Sequence, residues 1–175
     1  MADVALTTLL VKGPAANNEV GRGWTHKLEI NYTDFLGVTS ASDGDTVTVS
    51  CFTIPANSIV NSVGFRLVTA FDDSGGGTTA TLLLGDDDDD NGYLLSTVIH
   101  ADGTEVFVGA NTGAYFIGTD SGAATTSNVI KGKTYTAAKT VKAVFTPSSF
   151  KMEESTQGKI VIFAEILDTN ILIAS

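Results

Sequence analysis

Alternation of apolar and polar residues with a period of two recurs along this chain, and it constrains the fold more than any other feature. It is clearest in residues 26–32, 46–53 and 59–71. Successive side chains of a β-strand point to opposite faces, so this pattern predicts strands that bury one face. Helical periodicity does not recur. The alternation therefore predicts an all-β chain.

Further strand-like segments follow, each bounded by Gly, Asp, Asn or Ser. They are residues 79–84, 93–100, 105–108, 114–118, 129–135, 141–146 and 159–167. About eight to ten short strands with such punctuation predict an antiparallel β-sandwich or barrel. Gly75-Gly76-Gly77 favours a hairpin between residues 59–71 and 79–84, because glycine adopts positive φ readily. One helical turn is predicted near residues 33–36, with Thr33 as its N-cap.

The length and the cysteine content predict a single domain without disulfides, and the amino terminus predicts synthesis in a cytoplasm. The chain has 175 residues, of which 43% are hydrophobic, and this suffices for one compact core. Its single cysteine, Cys51, cannot form an intramolecular disulfide. Cys51 occupies an apolar position of the strand pattern in residues 46–53, so we predict a small buried hydrophobic side chain. Asp3 stands where a signal peptide would carry positive charge, which predicts synthesis in a cytoplasm without export by the usual route.

The charge balance excludes two classes of partner. The formal net charge is -10, whereas binding to a nucleic-acid backbone needs clustered Lys and Arg. No run of about 18 apolar residues is present to span a bilayer. An acidic surface is also repelled by anionic membranes. We therefore predict neither nucleic acid nor membrane as a partner.

Residues 1–23 differ from the rest of the chain. A short apolar segment precedes residues 12–18, which have the composition of a loop. Two interpretations fit: an extended N-terminal arm that adds a strand to a neighbouring subunit, or the first edge strand of the chain's own domain. Residues 24–175 are predicted to form a single β-sandwich domain.

Apolar residues near both ends are candidates for contact with a partner. Trp24 lies at the joint between the N-terminal segment and the domain, and the carboxyl end stays apolar almost to its last residue. Such residues pack against a surface more often than they remain in solvent. The candidate partner-contact residues are Val4, Leu6, Leu9, Leu10, Trp24, Ile171, Leu172 and Ile173.

Five consecutive aspartates, residues 86–90 (the acidic loop), suggest a cation site. Asp87, Asp89, Asn91 and Gly92 match the start of an EF-hand loop, in which alternate oxygens converge on one ion and the glycine makes the bend. Val98 stands where that loop has its bidentate glutamate. Asp87, Asp89 and Asn91 are therefore candidate ligands of a structural Ca²⁺. The alternative is an acidic loop that faces solvent.

No catalytic group is predicted, and no cofactor other than Ca²⁺. Residues 73–76, Asp-Ser-Gly-Gly, are similar to the sequence around a trypsin-like nucleophile, but Asp72 replaces the leading glycine. A hairpin loop accounts for the same residues. The two histidines, His26 and His100, belong to no Cys/His cluster, so no zinc site is predicted. His100 is expected to be a hydrogen-bonded loop residue.

One segment of the chain carries a resemblance to a known class of proteins. Its residues are Ile54-Pro55-Ala56-Asn57-Ser58-Ile59-Val60, Thr69-Ala70-Phe71-Asp72, Gly75-Gly76, Leu84-Gly85-Asp86 and Asn91-Gly92-Tyr93-Leu94. This pattern resembles small virion proteins of tailed bacteriophages, among them head decoration (cement) proteins. The resemblance implies a jelly-roll-like antiparallel β-sandwich and a homo-oligomer, expected to be a trimer, that binds the major capsid protein.

The function that the resemblance implies is structural. The chain would lie on the outer capsid surface of the virion and stabilise the shell through multivalent subunit contacts. The alternative is a tail or head-fibre module that recognises a host-surface glycan through exposed aromatic residues such as Trp24, Tyr93 or Tyr115. The fold alone does not distinguish these roles, since sandwiches serve both.

Overall fold

The computed structural model describes residues 4–6, 24–77, 79–100, 115 and 132–172. These residues form β-strands joined by loops and by 3-10 turns at Tyr32–Phe35, Met152–Glu154 and Thr169–Leu172. The strands are β1 (Val4–Leu6), β2 (His26–Asn31), β3 (Val47–Ile54), β4 (Ser58–Asp73), β5 (Thr79–Gly85), β6 (Leu94–Val98), β7 (Lys133–Tyr135), β8 (Lys139–Ser148) and β9 (Ser155–Asp168). The prediction of an all-β fold is confirmed. Within the described ranges, no helix is long and apolar enough to cross a membrane.

The strands are arranged in two sheets. One sheet has the order β2-β9-β4-β7, and all its pairs are antiparallel. The other has the order β1-β3-β8-β5-β6 and is antiparallel except for β1, which runs parallel to β3. The predicted strands at residues 105–108 and 114–118 lie outside the described residues, apart from Tyr115.

The predicted hairpin between β4 and β5 is wrong. β4 pairs with β7 and β9, whereas β5 pairs with β6 and β8, so the glycine loop carries the chain from one sheet to the other. Gly76 has φ +86° and does provide the turn that was expected of it. Turn residues predict where a chain reverses, but they do not determine which strand becomes the partner.

Buried residues of both sheets form one hydrophobic cluster. At its centre, three phenylalanine rings meet edge to face with centroids 5.1–5.9 Å apart. Phe35 comes from the first 3-10 turn, Phe71 from β4 and Phe145 from β8. Each ring is at most 1% exposed, so the two sheets and the connection after β2 share a core.

Cys51 is a free cysteine, and the prediction that its side chain is buried is confirmed. It lies at a β-bulge, because the register of β3 against β8 shifts between Ser50 and Phe52. The extra residue lets Cys51 and its neighbour Phe52 both turn inward, which strict alternation forbids. Burial raises the pKa of the Cys51 thiol, so this thiol is a poor nucleophile.

The helical turn was predicted in the right place but with the wrong cap. The 3-10 turn begins at Tyr32, and its N-cap is Asn31 instead of Thr33. The Asn31 N–H donates to Asp34 Oδ2 at 2.8 Å. The carboxylate thereby satisfies a backbone donor that the turn itself leaves without a partner.

In the N-terminal segment, Val4–Leu6 forms a short parallel pair with Val47, Thr48 and Val49 of the same chain. This pairing matches the interpretation as an edge strand of the chain's own domain. Residues 7–23 lie outside the described residues, and the extended arm stays a prediction.

Candidate functional site

The acidic loop begins where β5 ends and folds back over that strand. Gly85 is the last residue of β5, and the Asp86 N–H donates to the Asp89 carbonyl at 2.9 Å. A Cβ placed on Gly85 would lie 2.0 Å from that carbonyl oxygen and 2.2 Å from the carbonyl carbon of Asp90. Only glycine therefore allows the loop backbone to approach the strand so closely.

The carboxylate of Asp86 is the centre of a buried polar network. Its side chain is fully buried. Oδ2 accepts from Lys133 Nζ at 2.6 Å and from the Tyr135 hydroxyl. Oδ1 accepts from the Tyr115 hydroxyl at 2.9 Å and from the Asp88 N–H at 2.8 Å. The first aspartate of the run is thus an anchor inside the protein, not a solvent-facing carboxylate.

The electrostatic balance keeps Asp86 ionised. Burial alone would raise the pKa of its carboxyl, but hydrogen bonds from Lys133, Tyr135, the Asp88 backbone and Tyr115 outweigh that effect. The pKa lies below its ordinary value of 3.8. Paired and hydrogen-bonded charges are the form in which ionised groups are tolerated inside proteins.

Lysines of β7 and β8 neutralise the first three aspartates. Besides the Lys133 pair, Asp88 Oδ1 lies 2.6 Å from Lys139 Nζ and Asp87 Oδ1 lies 2.8 Å from Lys142 Nζ. The repulsion among adjacent carboxylates is thereby offset within the chain. This differs from the sequence expectation, which considered only solvent or an external cation.

The three candidate Ca²⁺ ligands are engaged in local contacts. The Asp87 carboxylate accepts from the Thr140 N–H at 2.9 Å in addition to its pair with Lys142. Asp89 Oδ1 accepts from the Asn91 N–H at 3.2 Å. Calcium binding at Asp87, Asp89 and Asn91 stays a prediction.

A tyrosine cluster surrounds the anchor. Tyr93 is fully buried, and its hydroxyl contacts that of Tyr135. Since Tyr135 donates to Asp86, Tyr93 is the donor to Tyr135. Tyr115 packs edge to face on Tyr93, and Lys133 Nζ lies 3.7 Å from the centroid of the Tyr115 ring. The expectation that Tyr93 is an exposed glycan-binding aromatic is therefore wrong.

The ionisation of Tyr93, Tyr115 and Tyr135 gives a test of this network. Burial is the main cause that raises the pKa of each hydroxyl above 10, and the Asp86 carboxylate adds to the effect. In a titration followed by tyrosinate absorbance, we expect these three to stay protonated near pH 10 until the chain unfolds. The unfolded chain loses the protons first, so stability falls as the pH rises above 10.

Tyr32→Phe is the control for that titration, because this tyrosine lies outside the cluster. The variant should retain the delayed ionisation. Ordinary ionisation of all tyrosines near pH 10 in the folded protein would contradict the network.

The candidate partner-contact residues are only partly within the described structure. Trp24 is half-buried and packs edge to face on Phe163, with ring centroids 4.4 Å apart. Val4 and Leu6 belong to β1, while Leu9, Leu10 and Ile173 lie outside the described residues. Ile171 and Leu172 belong to the last 3-10 turn, and only their backbone is described.

The glycine loop after β4 surrounds a carboxylate. Asp73 Oδ2 accepts from the Gly75 N–H at 2.8 Å, and Asp73 Oδ1 accepts from the Gly77 N–H at 2.7 Å. Ser74 is exposed. Nδ1 of His26 lies 2.7 Å from the Thr25 hydroxyl.

Sequence reasoning missed a cluster of three titratable residues, Asp72, Asp73 and His100 (the Asp-Asp-His cluster). One ligand atom from each lies within 4.8 Å of the others. His100 is 4% exposed, and neither ring nitrogen has a hydrogen-bond partner among the described residues. The expectation of a hydrogen-bonded loop histidine is therefore wrong. The spacing of residues along the chain could not reveal this cluster, because the pairing of Phe71 with His100 brings its members together.

No protein-family model, no curated protein and no solved structure matches this chain.

Proposed function

We propose that this chain is a structural virion protein, a capsid decoration protein with a jelly-roll-like β-sandwich core. It binds the major capsid protein on the outer surface of the head as a homo-trimer. The observation that carries the proposal is the internal use of charge in the segment that resembles virion proteins. Asp86, Asp87 and Asp88 are bound by lysines of the same chain, so these charges are balanced within the chain.

Apolar side chains on β6 support a role in assembly. β6 is the last strand of the described part of its sheet, and its Leu95 and Val98 are 50% and 51% exposed. Large apolar side chains that are half exposed are typical of protein contacts. We assign Leu95 and Val98 to the contact with a second copy or with the capsid.

The proposed mechanism is mass action through several simultaneous contacts. A trimer that touches three capsid sites gains far more affinity than one contact provides, because the later contacts form within the complex. Binding to the assembled shell in turn stabilises that shell against rupture by packaged DNA.

The direct test compares particles with and without this protein during heating. We expect particles that carry it to release their DNA at a higher temperature.

Leu95→Lys/Val98→Lys should reduce attachment to empty capsids or abolish the trimer, since it places charge in an apolar contact. Co-sedimentation and light scattering measure these two properties.

Leu36→Lys is the matched control, because Leu36 is 59% exposed and lies directly after the first 3-10 turn, outside β6. Both variants should fold, as exposed substitutions rarely change stability by more than about 0.5 kcal/mol. Equal DNA-release temperatures for both kinds of particle would contradict the stabilising role. Glycan binding that Trp24→Ala abolishes, without capsid binding, would replace the proposal with a tail or head-fibre module.

A further inference from the structure

The Asp-Asp-His cluster is built where two strands end side by side. Asp72 and Asp73 are the last residues of β4, and His100 follows β6. An isolated parallel bridge joins Phe71 to His100, and the Phe71 N–H donates to the Ile99 carbonyl at 2.8 Å. The backbones that carry the cluster are therefore fixed relative to each other.

Pairing is irregular where β4 ends. In a regular strand, Asp72 and Asp73 would point to opposite faces. The register of β4 against β9 shifts between Thr69 and Asp72 and again between Asp72 and Asp73, so the end of β4 departs from regular alternation. One carboxylate oxygen of each aspartate lies within 4.8 Å of a His100 ring nitrogen.

The side chain of His100 is a buried polar group without a hydrogen bond to any described residue. Its ring lies against the apolar core, with the Phe150 centroid 6.1 Å away. Both nitrogens are buried without a hydrogen-bond partner in the described part of the chain, although buried polar groups are nearly always satisfied. A buried imidazole that lies beside two carboxylates without a hydrogen bond to either is suited to bind a ligand.

The distance between His100 and Asp72 is compatible with a shared ion. Nε2 and Oδ1 are 3.4 Å apart, within reach of a direct ion pair but longer than a usual hydrogen bond. Two ligand atoms of a tetrahedral zinc ion, each about 2.1 Å from the metal, lie about 3.4 Å from each other. We propose that Asp72, Asp73 and His100 bind a divalent transition-metal ion, for which Zn²⁺ is the appropriate probe.

The ligand set selects the class of metal. An imidazole with two carboxylates suits Zn²⁺ and its first-row neighbours, whereas Ca²⁺ and Mg²⁺ prefer sites made of oxygen alone. Two carboxylates and a neutral imidazole also balance a divalent charge. The ion would remove the repulsion between Asp72 and Asp73.

Asp73 is held in place by its outer contacts, as is usual for ligands of metals. The N–H groups of Gly75 and Gly77 each donate to one of its oxygens, and each oxygen keeps a lone pair for the ion. The Asp72 side chain is 34% exposed, so solvent can supply a fourth ligand and the ion has a path of entry.

The test uses the full chain with Zn²⁺ in competition with a chromophoric chelator, and Co²⁺ as a spectroscopic substitute. We expect one ion per chain and a visible Co²⁺ spectrum of low coordination number. His100→Gln should weaken Zn²⁺ binding by about 100-fold or more, since loss of an outer-sphere partner alone costs about 10–100-fold. Zn²⁺ should also raise the melting temperature of the natural protein.

His26→Gln is the matched control, because it removes the chain's other histidine, and Zn²⁺ binding should be unchanged. Asparagine has nearly the same shape as aspartate, and the Asp72 side chain is partly exposed. Asp72→Asn should therefore fold and tests the site even if His100→Gln does not fold. Absence of Zn²⁺ binding by the natural protein, or binding that survives Asp72→Asn, would overturn the proposal. So would Zn²⁺ binding that is lost in Asp87→Asn/Asp89→Asn, since this result would place the ion in the acidic loop. The proposal does not depend on the virion role.

Discussion

Asp86→Ala is expected to lower the free energy of unfolding by about 3–5 kcal/mol, the range found when one member of a buried ion pair is removed. The substitution leaves the Lys133 ammonium without its closest carboxylate, from which it is 2.6 Å away. It also removes the acceptor for two tyrosine hydroxyls and for the backbone of the acidic loop. Urea denaturation measures the loss.

Asp90→Ala is the control for this prediction. Asp90 belongs to the same run but is exposed, so its removal should change stability by no more than about 0.5 kcal/mol. Equal effects of the two substitutions would show that Asp86 contributes only to the overall charge and would contradict its role as an anchor.

A double-mutant cycle with Lys133→Met separates the ion pair from the rest of the network. If Asp86 and Lys133 stabilise each other, the double variant should lose less stability than the sum of the single variants. The expected difference is about 0.5–3 kcal/mol. If the losses of the two single variants simply add up in the double variant, the destabilisation by Asp86→Ala comes from the tyrosines and the loop backbone and not from the ion pair.

The effect of Asp86→Ala should also depend on pH. The pKa of Asp86 in the folded chain lies below 3.8, so the carboxylate contributes its full stabilisation above that pH. This contribution is lost as the pH falls through the folded pKa, because the unfolded chain takes up the proton first. The difference in stability between the natural protein and Asp86→Ala should therefore shrink below about pH 4.

Strand positions could be predicted from the sequence because alternation reports burial directly. In β2, Leu28 and Ile30 are buried between exposed Lys27 and Glu29, as the period of two requires. Pairing could not be predicted in the same way. β4 finds its partner in β9, far along the chain, and the glycine loop contains no information about that choice.

The role of the acidic loop was hidden from the sequence for a similar reason. Five aspartates in a row indicate repulsion that must be offset, but the cations that offset it follow on β7 and β8, which are distant in the chain. Sheet order brings Lys139 and Lys142 of β8 beside the end of β5. The run of aspartates therefore predicts that its negative charge must be offset, but it does not reveal that Asp86 is buried.

His100 was misjudged because burial of a lone histidine cannot be read from neighbouring residues. The residues after it, Ala101-Asp102-Gly103-Thr104, have the composition of a loop, which suggested ordinary hydrogen bonding. Its burial follows from the bridge to Phe71 and from packing near Phe150. Both are contacts between distant parts of the chain.

Gly85→Ala is expected to destabilise the protein on the order of 3 kcal/mol, at the upper end of the range for overpacking. The added methyl group would lie 2.0 Å from the Asp89 carbonyl oxygen, and a backbone atom cannot rotate away as a side chain can. The acidic loop must move as a whole, which also draws Asp86 away from Lys133. Urea denaturation should show the loss, and the buried tyrosines should then ionise at lower pH.

Two other glycines provide graded controls for Gly85→Ala. A Cβ on Gly37 meets no atom within 4 Å at an ordinary φ, so Gly37→Ala should be near neutral. Gly76 is equally open but has φ +86°, and alanine there should cost about 1–2 kcal/mol in backbone strain. The expected order of destabilisation is Gly37, Gly76, Gly85. If Gly85→Ala lowered the free energy of unfolding by no more than Gly76→Ala does, this result would contradict the close contact between the acidic loop and β5. The position of Asp86 beside Lys133 would then not depend on Gly85.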